Sequence, residues 1–266
     1  SIEVIGGTNV QWAHDPKTDR DVVIEINPRT SRSSALASKA SGYPIARVTA
    51  KIAVGMKLNE IKVATATADV EPRLDYIVAK FPRFPFDKFT TAQNKLGTQM
   101  KATGEVMGIG STLDECMLKS IRSLETSVFH IWGAKFDTMS KEELEEYLKD
   151  FQDDNIYAIA ELFSHGVSVE KIHEITAITP YFLETIKDIV DFETVVKQNK
   201  DAATLRLAKE KGFSDKYIAK LWNVSEIDVF NMRKAEGIMP VYRMVDTFHK
   251  GGYIPYFYSS YKGENQ

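Results

Sequence analysis

The sequence predicts an α+β first half followed by an all-α second half. Three observations carry this. Short apolar runs such as VVIEIN, DYIVAKF and GEVMGIG alternate with amphipathic segments in the first half. The periodicity changes near residue 130, and from Ser140 to about Ala235 every periodic segment is helical. Helix signals recur through that second half: Ser140 with Glu143, Thr179-Pro180, and stops at Gly166 and Gly212.

In chain order, Asn9–Ala13 reads as a short strand after Gly6-Gly7, HDPKTDRD as a polar turn, and Val22–Asn27 as the returning strand. Side chains alternate along a strand, so Val23, Glu25 and Asn27 are expected on one face and Val22, Ile24 and Ile26 on the other. Two helices follow, from about Ser33 to Lys39 and from about Pro44 to Val54, with Gly42 and Pro44 at the break. The second carries Ile45, Val48, Thr49, Ile52 and Ala53 at helical spacing. DYIVAKF is a strand ending at Pro82. GEVMGIG is a second strand, leading into a helix that opens on a Thr112–Glu115 capping box and buries Leu113, Met117, Ile121 and Leu124. In the helical half, KEELEEYLKD is a solvated face with Leu144 and Leu148 inward. VYRMVD is the next strand, and GGYIPYFYSSYKGENQ an extended aromatic tail that packs on something.

Composition narrows the function classes. A hydrophobic fraction of 43% can supply a core. A formal net charge of −3 argues against a dedicated nucleic-acid binder, whose affinity rests on clustered Lys and Arg. The single cysteine, Cys116, rules out an intrachain disulfide and fits a reducing compartment. No apolar run approaches the roughly 18 residues of a membrane span, and no signal peptide is visible, so no membrane is expected. Ser1 opens the chain without a Met and almost inside a strand, which reads as a boundary cut from a longer protein.

The chemistry concentrates near the start. If the first two strands pair antiparallel, Gln11 lies beside Glu25, and three oxygen-bearing side chains (Gln11, Glu25, Asn27) surround one point. Mg²⁺ takes hard oxygen ligands and keeps part of its shell for water and phosphate. Glu25 would supply charge and can bridge two ions, while the two amides add neutral oxygens that do not repel a nucleotide. Arg29 and Arg32 follow at once, and planar guanidinium forks suit phosphate or carboxylate oxygens. Taken alone, Glu-x-Asn on a strand face is more often a solvated edge than a metal site, and Asn-Pro-Arg is just a turn.

The longer strings GGTNVQWAHDP, VVIEINPRTSRSSALASKASGYPIARVTAKIAVG, EPRLDYIVAKFPRF and TQMKATGEVMGIG closely resemble the carbamoyl-phosphate synthase large chain, in the C-terminal part of its first ATP-grasp module. SRSSALASKA distinguishes that module from the second. GFSDKYIAKLWNVSEIDVFNMRKAEGIMPVYRMVDT resembles the family's oligomerisation domain, and YFYSSY the segment leading to the second module. The resemblance implies a partial ATP-grasp C-terminal subdomain over residues 1–130 and a helical oligomerisation domain with an extended tail over 131–266. It implies Gln11, Glu25 and Asn27 as metal ligands, with Gln11 and Glu25 also beside ATP. Arg29 is implied near the transferred phosphate or bicarbonate, and Asn9 and Arg32 in the same pocket.

ATP and Mg²⁺ (or Mn²⁺) are the implied cofactors, and bicarbonate and ammonia the substrates. The family phosphorylates bicarbonate to carboxyphosphate, converts it with ammonia to carbamate, and phosphorylates that to carbamoyl phosphate, for arginine, urea or pyrimidine synthesis. The implied partners are the remainder of the large chain, a glutamine amidotransferase small subunit or domain, and oligomer contacts through the helical domain. The implied location is the cytoplasm, or the mitochondrial matrix for a urea-cycle enzyme. The chain departs from the family pattern. The module's front lobe and the whole second module are absent, LNEIKVATATADVEP is shorter than the pattern, and HIWGAKFD differs. The chain by itself is therefore expected to be inactive. A non-catalytic oligomerisation or interaction module is the alternative.

Other features read as structural. FSDKYIAKLWNVSEIDVFNMRKAEGI has helix-turn-helix cadence, with Ala219, Trp222, Val224 and Ile227 expected to pack the two helices. Glu226 and Asp228 open its second helix, against a DNA-reading role. His165 and His173 lack partners for a zinc set and read as surface or capping residues. Cys116 reads as core packing. GEVMGIG lacks the Lys and spacing of a phosphate loop and reads as a buried strand with close backbone packing.

Overall fold

The computed structural model describes residues 3–245, 247 and 256–266. The chain forms two compact units, residues 1–75 with 243–258 and 266, and residues 76–242 with 259–265.

The first unit opens on an antiparallel hairpin of β1 (Asn9–Asp15) and β2 (Arg20–Asn27). The strands run longer than the sequence reading. His14 pairs with Asp21 and Asp15 with Arg20, so only four residues of HDPKTDRD form the turn. Asp15 closes that turn: its carboxylate accepts from the Lys17 amide at 2.9 Å and the Thr18 hydroxyl at 2.7 Å. These bonds favour the charged form and hold its pKa below the usual value, the Thr18 bond most.

A one-residue bulge also corrects the expected alternation. Gln11 faces Glu25, but Trp12 faces Val23, leaving Ile24 opposite the step between them. Partners in a ladder share a face, so Val23 joins Trp12 rather than Glu25 and Asn27.

Helix α1 (Arg32–Ser41) starts in a reciprocal cap between Ser31 and Ser34 and ends at Gly42, whose φ of +68° suits the left-handed conformation. Helix α2 (Ile45–Ala53) buries Val48 in a small core with Ile61, Val63, Ala66 and Ala68. Ile61 lies between a 3-10 turn and the paired two-residue strands β3 (Lys62–Val63) and β4 (Ala66–Thr67).

The second unit pairs β5 (Ile77–Arg83) antiparallel to β6 (Gly104–Gly110). β5 continues through Pro82, which a two-stranded edge tolerates because no further strand needs its missing N–H. Helix α3 (Leu113–Ser123) packs on this pair. A Cβ at Gly108 would lie 2.3 Å from the Cys116 carbonyl oxygen, so glycine there lets helix and strand meet. The Thr112–Glu115 capping box is absent. Glu115 instead accepts from the Ser111 amide at 2.9 Å and pairs with Lys119 at 2.8 Å, leaving the buried Thr112 hydroxyl without a partner.

Among the described residues seven helices follow: α4 (Lys141–Tyr147), α5 (Asn155–Ser164), α6 (Val169–Thr176), α7 (Pro180–Gln198), α8 (Ala202–Glu210), α9 (Asp215–Trp222) and α10 (Glu226–Ala235). Ser140 and Glu143 do form a capping box, and Leu144 and Leu148 are buried as the pattern requires. One continuous core runs from Leu118 and Ile121 of α3 through Leu162, Ile172 and Leu183 to Trp222 and Val229.

In the helix-turn-helix segment Ala219 and Trp222 are buried, but Val224 and Ile227 are exposed. Val229 fills the inward position instead. The turn is made at Asn223, whose left-handed φ of +52° rotates the following residues out of the expected phase. Cys116 is buried, and burial pushes its thiol up to about 12, consistent with packing rather than nucleophilic chemistry. His165 contacts Glu161 at 3.2 Å, and His173 Nδ1 lies 2.7 Å from the Ile178 carbonyl, both local roles. The late strands are β7 (Val241–Met244) and β8 (Phe257–Ser260). Asp246 of VYRMVD and residues 251–255 of the aromatic tail lie outside the described residues.

Candidate functional site

The first hairpin assembles the polar cluster. Gln11 and Glu25 are direct cross-strand partners and therefore share a face; Asn27, two residues from Glu25 and past the bulge, lies on that face too. Gln11 Nε2 and Asn27 Nδ2 both donate to Glu25 Oε1, each at 2.8 Å. Three side chains separated by up to sixteen residues thus meet at a single oxygen atom. Asn9 faces Asn27 across the ladder, and the Thr8 hydroxyl donates to the Asn27 carbonyl at 3.1 Å, fixing the end of β2.

The two arginines do not join that oxygen. Arg29 follows a tight turn in which its amide donates to the Asn27 carbonyl at 2.8 Å, and its guanidinium donates to the Thr30 carbonyl at 3.4 Å. Arg32 is exposed at the first position of α1. Both lie at the mouth of β2, where the chain leaves the hairpin. Thr8 escapes the sequence reading, and its hydroxyl bond to the Asn27 carbonyl is what reveals it.

The cluster is open. Gln11 and Glu25 are exposed, and the apolar side chains around them are as well: Trp12 is 63% exposed and Ile24 64%. Val22, Val23 and Ile26 of the same hairpin are exposed as well, so its apolar exposure is clustered rather than scattered.

Among the described residues no group of three or more His, Cys, Asp or Glu side chains could hold a metal. A cation at this hairpin would therefore draw on one carboxylate and two amides. Both amides now present N–H to Glu25. A half-turn of either terminal amide exchanges its nitrogen for its oxygen, so the set can offer one charged and two neutral oxygens at one point. No helix among the described residues is long and apolar enough to cross a membrane.

This fold is that of a partial ATP-grasp subdomain followed by a helical domain, a class of protein that binds ATP. Residues 1–61, which contain the whole cluster, match the family described as carbamoyl-phosphate synthase L chain, ATP binding domain. Residues 105–237 match carbamoyl-phosphate synthetase large chain, oligomerisation domain. The chain belongs to the carbamoyl-phosphate synthase large-chain family.

Proposed function

We propose that the hairpin is the metal- and phosphate-facing floor of a carboxyphosphate-forming site. The observation that carries this reading is the convergence of Gln11 and Asn27 on one oxygen of Glu25. Glu25, Gln11 and Asn27 would hold Mg²⁺ or Mn²⁺, with Gln11 and Glu25 also beside ATP. Such an ion, when bound, neutralises and orients the phosphate oxygens. The fit rests on the donor set, which is hard, oxygen-based and only singly charged.

Arg29 and Arg32 would stabilise the charge spread over the transferring phosphoryl group, with Arg29 nearest the bicarbonate. Asn9 supports the same pocket from the neighbouring strand. Bicarbonate oxygen forms the new bond to the γ-phosphorus, and ADP leaves.

The exposure of Glu25 and its apolar neighbours supports a division of labour. Phosphoryl transfer relies on a site that excludes water, and the hairpin excludes none by itself. We therefore propose that the rest of a large chain covers it, that an amidotransferase subunit or domain supplies ammonia, and that the helical part makes oligomer contacts. We further propose the domain assignment 1–130 and 131–266, an arginine, urea or pyrimidine pathway, and a cytoplasmic or mitochondrial-matrix setting. The separate, continuous core of the helical unit favours a second reading, in which the chain is a non-catalytic oligomerisation module.

Titrating Mg-ATP calorimetrically against the wild type and the Gln11→Ala and Glu25→Ala variants separates the two readings. The first predicts saturable binding that both variants weaken; the second predicts none. In either case the chain alone should show no bicarbonate-dependent ATPase. Turnover that disappears in Glu25→Ala would overturn that expectation.

A further inference from the structure

The second unit holds a cavity of about 320 Å³, within the roughly 300–1,000 Å³ range of small-molecule sites. Phe84, Phe136 and Tyr157 wall it, and its charged groups are Arg83, Lys135 and three aspartates.

Those charges do not cancel. Arg83 is engaged by Asp87 through two bonds, at 3.0 and 2.7 Å. Lys135 donates to Asp154 and, at 2.7 Å, to the Tyr147 hydroxyl. Each cation already has its carboxylate, so neither is available to a ligand anion without breaking a pair. Asp153 is left over. Its side chain meets the neutral Asn94; Lys135 and Arg83 lie near enough to favour its charge, but among the described residues neither forms an ion pair with it. Burial, followed by the neighbouring Asp154, raises its pKa above the ordinary value. Burial likewise pushes Tyr157 up to about 12, so that ring stays neutral beside it.

An aromatic-walled cavity with three carboxylates to two cations, one carboxylate half-buried and outside the ion pairs, suits a cation on an apolar body. The carboxylate offers a charge-assisted hydrogen bond and the Phe84 and Tyr157 rings attract the positive charge, while the Phe136 ring is already taken by Lys135, 4.8 Å from its centroid. We propose that this cavity binds a small organic cation, a primary ammonium carried on an aromatic or aliphatic body, with Asp153 as its counter-ion.

Benzylamine is a suitable probe, with benzyl alcohol and benzoate as neutral and anionic counterparts of similar shape. Binding to the full chain would be followed by NMR shifts of the residues around Tyr157. The expected result is saturable benzylamine binding, with benzyl alcohol and benzoate weaker by about tenfold or more, the scale of one charge-assisted bond. Asp153→Asn should remove the difference between benzylamine and benzyl alcohol. Because burial opposes the Asp153 charge, that substitution is expected to preserve the fold. Independently of any variant, wild-type affinity should fall as pH drops and Asp153 takes up a proton. Benzoate binding as well as benzylamine, no saturation by benzylamine, or a pH-independent affinity would each overturn the proposal.

Discussion

Replacing Asp215 by Asn tests the most heavily loaded contact in the helical unit. The Asp215 carboxylate accepts from Lys209 Nζ at 2.6 Å and from Arg233 Nε and NH2 at 3.1 and 3.0 Å. Lys209 is 6% exposed and Arg233 7%, so one carboxylate neutralises two buried cations. Burial pushes Lys209 down to about 8, although Asp215 pulls the other way. Burial also opposes the Asp215 charge, but Lys209 and Arg233 outweigh it and hold that pKa below the usual range.

Removing one partner of a buried pair costs about 3–5 kcal/mol, because the other charge stays uncompensated. Here Lys209 can shed its proton once Asp215 is gone, which caps the cost near the lower end, about 3 kcal/mol at neutral pH. Between about 8 and its ordinary 10.5 the folded state holds fewer protons on Lys209 than the unfolded chain, so wild-type stability rises with pH across that window. At about pH 9.5 Lys209 is already mostly neutral, and Asp215→Asn should cost only the Arg233 bonds, about 1.5–3 kcal/mol. Urea unfolding read by the fluorescence of Trp132 and Trp222 measures this unit. A loss under about 1 kcal/mol at neutral pH, or a penalty that grows with pH, would refute the reasoning.

Other substitutions probe separate links. Gly108→Ala places a methyl 2.3 Å from the Cys116 carbonyl oxygen and should cost about 1–3 kcal/mol or more by thermal unfolding, through forced separation of β6 and α3. Ser140→Ala breaks a formed capping box and should cost about 1 kcal/mol. Thr112→Val removes a buried hydroxyl without a partner and should be neutral or stabilising by roughly 1 kcal/mol; equal losses at both sites would contradict the cap assignment. His130 is buried against Tyr217 and Phe213 with Glu193 at 3.0 Å. Burial lowers its pKa, more than Glu193 raises it, with Arg122 and Lys220 adding to the lowering. Folding therefore excludes a proton, and stability should fall below about pH 6.5 by up to about 1.4 kcal/mol per pH unit, a slope that His130→Phe removes.

Element types were readable wherever periodicity and punctuation agreed. GEVMGIG is a strand over its full length, and Thr179-Pro180 starts α7 as written. The misreadings share a cause: a local motif yielded to a contact from elsewhere in the chain. Glu115 abandons its capping role because Ser111 and Lys119 offer it two better partners in a buried setting. The bulge at Ile24 depends on the partner strand and cannot be read from β2 alone. Val224 and Ile227 look inward on a helical wheel, but the left-handed Asn223 resets the phase between α9 and α10. At the site, alternation and antiparallel pairing placed Gln11, Glu25 and Asn27 together. Hydrogen bonds then joined them on one oxygen. The arginines were legible only as neighbours in sequence.

The most direct test of the metal–phosphate reading uses Mn²⁺ as a paramagnetic substitute for Mg²⁺. In the presence of ATP, Mn²⁺ should broaden the side-chain amide signals of Gln11 and Asn27 before those of Asn59, which lies elsewhere in the same unit, and Glu25→Ala should abolish that selectivity. Uniform broadening across all three amides, or selective broadening that survives Glu25→Ala, would contradict the account.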